Sequence, residues 1–117
     1  MDIIHNLKNG VLFLNFVTEY FDFKKIVDLN DTIHELSNIL HSNEDKVVID
    51  FKGIDYIGSS GIGLLLMLKS KIEEVNGLLA LTNVNEKIAN VMNILQLDQF
   101  FSIINDEEKL SSFFSSK

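Results

Sequence analysis

Hydrophobic and polar positions fall into a readable order along the chain. Two β-like apolar runs come first, Ile3 to Leu7 and Val11 to Val17, separated by Lys8, Asn9 and Gly10. An Asn-Gly pair between such runs predicts a hairpin, since both residues tolerate positive φ. From Thr18 to Lys25 no period is visible, and Tyr20, Phe21 and Phe23 surround Asp22. At Ile26 the spacing changes. Ile26, Leu29, Ile33, Leu36 and Leu40 lie three and four apart and so share one helical face, with Asp28, Asp31, Glu35 and Asn38 mostly opposite. Asn43, Glu44 and Asp45 then break the pattern.

Val47 to Phe51 is a compact β-branched run of the kind buried in a parallel sheet. After Gly53 and a loop to Gly58, residues Gly61 to Val75 predict a helix, with Gly61, Leu65, Leu68, Ile72 and Val75 on one stripe. Asn76 and Gly77 form its stop, a residue that tolerates the left-handed region beside one that prefers it. Leu78 to Leu81 is a further short strand. Asn85 can cap a third helix, with Glu86 complementing the dipole and Ile88, Val91, Met92 and Leu95 facing inward. Phe101 to Ile104 reads as an edge strand. Asp106 can cap a last helix carrying Leu110, Phe113 and Phe114.

The predicted order is β β α β α β α β α. Strands alternating with amphipathic helices favour right-handed crossovers, hence an α/β fold. The expectation is one domain over residues 1–117, with a mixed, mostly parallel sheet of about four or five strands and about four helices.

Composition narrows the function classes. The apolar fraction of 46% supports a real core and excludes a disordered tail. The absence of Cys excludes a disulfide framework and a thiolate metal site, and suits the cytoplasm. No long apolar run follows the opening residues, so no signal peptide is expected. The longest apolar stretch, Ile62 to Leu68 with Gly63 inside it, is far short of the roughly 20 residues that span a bilayer, so no membrane insertion is expected. A net charge of −7 argues against a nucleic-acid partner and favours a basic protein, although acidity also serves plain solubility. A monomer is expected.

The candidate chemistry lies between strand and helix, in the stretch DYIGSSGIGLLLML from Asp55 to Leu68. In an open α/β sheet, ligands and partners meet the carboxyl ends of the strands, where loops run into helix N-termini. Ser59 and Ser60 belong on that rim. The plain structural reading is an N-cap, a serine oxygen accepting from a free N–H of the first turn. The functional reading rests on the neighbours. Gly58 and Gly61 remove bulk beside the hydroxyls. If Leu65, Leu68 and Ile72 face the sheet, Ile62 and Leu66 point away, with Leu64 or Met67 at the margins. That leaves a docking surface with the serines at its edge.

The block VVIDFKGIDYIGSSGIGLLLML, Val47 to Leu68, resembles the signature of STAS domains, the anti-anti-sigma factors (anti-sigma factor antagonists) of bacterial partner-switching pathways. The stretch NVNEKIANVMNILQLDQFFSIINDEEKLSSF, from Asn83, is similar to the family's third helix, its Leu-Asp turn and its acidic last helix. The resemblance covers essentially the whole chain, more weakly over its first 40 or so residues. It implies binding to an anti-sigma factor that is also a serine kinase, phosphorylation of Ser59 (Ser60 as the alternative), and reversal by a serine phosphatase. It implies partner contacts at Asp22, Gly58, Ser59, Ser60, Gly61, Ile62 and Leu66, with no cofactor. Two departures stand out: the family's usual Asp before the first Ser is Gly58 here, and the residues around Asp22 match only loosely. Some relatives do not switch and serve as adaptors or scaffolds in stress-signalling or lipid-transport assemblies. That reading is the alternative.

Other polar residues carry less. His34 and His41 are seven apart, too far to share one metal, and His5 stands alone. Asp50 and Asp55 flank the loop with no base or nucleophile beside them. Asp50 is expected to fix the loop by accepting backbone N–H bonds. The run Gly58 to Gly63 lacks the lysine of a P-loop and the spacing of a dinucleotide fingerprint.

Overall fold

The computed structural model describes residues 1–40 and 45–115. The turn from β1 (Asp2–Lys8) into β2 (Val11–Val17) is the predicted hairpin, with Lys8 opposite Val11 and Asn9 and Gly10 at φ 53° and 78°. Three parallel strands extend that sheet: β4 (Lys46–Asp50) beside β2, then β6 (Leu78–Thr82), then β7 (Ser102–Ile103), in the order β1-β2-β4-β6-β7. Helices α1 (Ile26–Ile39), α2 (Ser59–Glu74) and α3 (Glu86–Ile94) make the crossovers, and α4 (Glu107–Ser115) closes the chain. Between α3 and β7 lies a 3₁₀ turn, Leu97–Gln99.

Strand alternation sorts the core into two layers. Leu12, Leu14, Phe16, Val47, Ile49 and Leu81 pack against Leu36 of α1, Leu65 and Leu68 of α2, and Ile88 and Met92 of α3. On the other face Val11, Val48 and Ala80 meet Leu110 and Phe114 of α4. The caps of the last two helices form as expected. Asn85 Oδ1 accepts from Ile88 N at 2.8 Å, and Asp106 Oδ1 accepts from Glu108 N at 2.8 Å.

Several expectations need correction. Two further strands appear, β3 (Tyr20–Phe21) and β5 (Tyr56–Ile57), which pair with each other in parallel outside the main sheet. In α1 the buried positions are Thr32 and Leu36, while Ile26 is 77% exposed. Thr32 occupies the inward face because its hydroxyl donates to Asp28 O at 3.0 Å and so is not left unpaired. Val75 and Leu95 are exposed, beyond the last buried turns of their helices. After α2, Asn76 takes the left-handed conformation (φ 57°), whereas Gly77 is required for space: a Cβ there would come to 2.5 Å from Asp45 O and 2.7 Å from Ile72 Cγ2. His41, Asn43 and Glu44 lie outside the described residues. No helix among the described residues is long and apolar enough to cross a membrane.

Candidate partner-docking site

The site is assembled where β2 and β4 end. Asp50 Oδ1 accepts from Lys52 N and from Asn83 Nδ2, each at 2.9 Å, so it fixes the loop after β4 as its position suggested. Asn15 Nδ2 donates to Asp50 O at 2.9 Å from the neighbouring strand. Ile54 and Ile57 are buried and anchor the loop, and Asp55 N and Tyr56 N donate to Glu19 O at 2.8 and 3.0 Å. Asp55 itself pairs with Lys87 at 3.0 Å in an exposed ion pair.

A second segment meets this loop. Phe21 is fully buried, with its ring 4.7 Å from that of Phe16 and 6.2 Å from that of Phe51, and it fixes β3 in place. Gly58 N donates to Phe21 O at 3.1 Å, so the loop after β3 is drawn across the start of α2. Gly61 is buried beneath it, and a Cβ there would fall on the Phe21 carbonyl. A Cβ on Gly58, also buried, would fall on the Asp22 carboxylate. The two glycines expected to make room for another molecule thus make room for this chain's own β3 loop.

The serines differ sharply. Neither caps the helix: the N-cap is Gly58, without a side-chain bond, and Ser59 and Ser60 are the first two helical residues. Ser60 is half-buried. Its hydroxyl accepts from Phe23 N at 2.6 Å and donates to Asp22 Oδ1. Ser59 is exposed, and its hydroxyl has no hydrogen-bond partner among the described residues. With no acidic residue in its own first turn, α2 receives the Asp22 carboxylate from the β3 loop at its positive end. Along the helix Leu64 is buried rather than marginal, Ile62 and Met67 are half-buried against the core, and Leu66 is 40% exposed.

Residues 7–110 match the family model for the STAS domain. The chain belongs to the STAS family. BtrV of Bordetella bronchiseptica, provisionally named an anti-sigma factor antagonist, is 27% identical to this STAS chain over 82 residues, 70% of this chain and 71% of its own. A solved structure from Thermotoga maritima, provisionally named in the same way, superposes with a TM-score of 0.81 at 16% identity, covering 97% of this chain and 94% of that one. The anti-sigma factor antagonist SpoIIAA in its unphosphorylated form gives a TM-score of 0.72 at 16% identity, covering 96% of each chain. Its phosphorylated form, from Bacillus, gives 0.67 at the same identity. At these identities the structural likeness speaks for the fold.

Geometry adds Gly63, Tyr20 and Tyr56 to the candidate site. Ser59, Ile62, Gly63 and Leu66 are spaced i, i+3, i+4 and i+7, which aligns them on one face of α2. Gly63 is exposed, and a Cβ there would meet nothing within 4 Å. A glycine inside a helix costs about 0.5–1 kcal/mol relative to alanine, and nothing among the described residues requires it here. Tyr20 and Tyr56, opposite each other in the small β3–β5 pair, are 62% and 51% exposed with rings 6.1 Å apart. The available signal was the glycine inside an apolar run.

Proposed function

We propose that this STAS chain is an anti-sigma factor antagonist whose docking is gated by charge at Ser59. The observation that carries this reading is the free, exposed Ser59 hydroxyl at the head of a helix face that continues through Gly63 to Leu66. The partner is an anti-sigma factor that is also a serine kinase. The unphosphorylated chain binds it through Asp22, Ser59, Ile62 and Leu66, and the sigma factor is released. The kinase moves the γ-phosphoryl of ATP onto Ser59 Oγ, whose proton is lost as ADP forms, and a serine phosphatase restores the hydroxyl. The chain, acting as one domain in the cytoplasm, is the substrate of this exchange rather than a catalyst. The names of BtrV and SpoIIAA, and the phosphorylated form in which SpoIIAA was solved, support the reading.

The gate follows from elementary electrostatics. A phosphoryl group brings about −1.5 to −2 charge. On the free chain it is solvated at a helix N-terminus, where an exposed negative charge gains about 0.3–1 kcal/mol. In the complex it would be desolvated against a surface shaped for a neutral hydroxyl, and an unpaired buried charge costs several kcal/mol. About 4 kcal/mol corresponds to a thousandfold loss of affinity. No refolding is needed.

Intact mass after incubation with the cognate anti-sigma factor kinase and Mg-ATP tests the proposal. One added phosphoryl group, mapped to the peptide containing Ser59, is the expected result. A chain that binds the kinase stably yet gains no mass is an adaptor, and the switch is refuted.

A further inference from the structure

The two adjacent serines have unequal surroundings, and one carboxylate is responsible. Asp22 reaches from the β3 loop into the space above Gly58, where its Oδ1 accepts the Ser60 proton. Gly58 has an ordinary extended backbone (φ −102°, ψ 179°), so its conformation does not call for glycine; only the carboxylate filling the position of its side chain does. The Ser60 oxygen also accepts from Phe23 N at 2.6 Å and lies 3.3 Å from Phe23 O. A hydroxyl has one proton to donate. That proton is engaged with Asp22, and the half-buried oxygen is held against the segment from Asp22 to Phe23. Ser59, one residue earlier, faces solvent.

We propose that Asp22, Gly58 and Ser60 form a latch that withdraws Ser60 from the surface and makes Ser59 the single phosphoryl acceptor of the pair. Asp22 is thus a specificity-determining residue that acts through its neighbour, over and above any contact with a partner. The selectivity half of this proposal rests on the function proposed above; the latch itself does not. For Ser60 to take a phosphoryl group, its oxygen would have to turn away from both Asp22 and the Phe23 amide. The β3 loop would then lift off α2 at that point. A side chain at position 58 would have the same effect, because it would displace the carboxylate while leaving both latch partners in the sequence. Asn in place of Asp22 keeps an oxygen able to accept from Ser60 and leaves the latch closed.

Two measurements test the proposal. The first needs no kinase: amide hydrogen exchange at Phe23, followed by NMR in the whole chain. The D22A, S60A and G58A variants should exchange about tenfold faster there, the factor that corresponds to ~1.4 kcal/mol, while D22N retains the wild-type rate. Unchanged protection in all three overturns the latch. The second is site mapping after the kinase reaction. Wild type should carry phosphate on Ser59 alone, while G58A should carry it on both serines, and S59A/G58A on Ser60. Phosphate on Ser60 of the wild type, or on Ser59 alone in G58A, overturns the selectivity. A wild type that gains no phosphate while Phe23 exchange responds as stated refutes the switch and leaves the latch standing.

Discussion

Alanine at Gly63 should move stability and binding in opposite directions. Gly63 lies one turn beyond Ser59 on the outward face of α2, and a Cβ added there would touch none of the described residues within 4 Å. The substitution therefore introduces no clash and removes the entropic cost of a helical glycine, a gain of about 0.5–1 kcal/mol. For a domain of this size that corresponds to a rise of roughly 2–6 °C in Tm. If a partner packs its backbone on this face, the same methyl group intrudes on a filled interface. Overpacking of that kind costs about 1–3 kcal/mol, or ~5–150-fold in Kd. Differential scanning calorimetry and isothermal titration against the proposed anti-sigma factor kinase read the two effects separately. A G63A chain with raised Tm and unchanged affinity would refute the reasoning, since the α2 face would then not be where the partner sits.

Other outcomes follow from the same geometry. S59D should keep its Tm within about 1–6 °C of wild type, because an exposed charge at a helix start is worth only ~0.3–1 kcal/mol; a collapse in thermal denaturation would make the gate a stability defect instead. L66A removes an exposed side chain, so it should leave urea denaturation within ~0.5 kcal/mol of wild type while weakening capture by the kinase in a binding titration. N85A removes the cap on Ile88 N and should lower stability by about 1 kcal/mol in urea denaturation; a neutral result would mean the third helix is capped by other means.

Much of the frame was legible because it obeys local rules. The Asn9-Gly10 turn, the Asn85 cap and the Asp50 contact to Lys52 N each join residues no more than three positions apart, and residue type alone predicts them. The small β3–β5 pair was not legible. Each of its strands is two residues long, too short for any period, and Tyr20 meets Tyr56 across an intervening helix and strand. The helix start was misread for a related reason. Serine has the better capping chemistry, but the Gly58 carbonyl accepts from Ile62 N at 3.0 Å, and the helix begins at Ser59, two residues before the predicted Gly61. Apolar spacing also placed Ile26 inward and missed Thr32, because a polar residue that bonds its own helix can be buried without penalty. At the site, Ser59, Ser60 and Leu66 stood out by type and position. The inequality of the serines did not, since it depends on a carboxylate 38 residues away from Ser60 in the chain.

The central claim is that a neutral hydroxyl at the head of α2 is part of what the partner recognises. The most direct test is the Kd of one preparation of the chain for the anti-sigma factor kinase, measured before and after stoichiometric phosphorylation at Ser59. The account predicts a loss of affinity of about a thousandfold with an unchanged fold. Equal affinity of the two forms would contradict it.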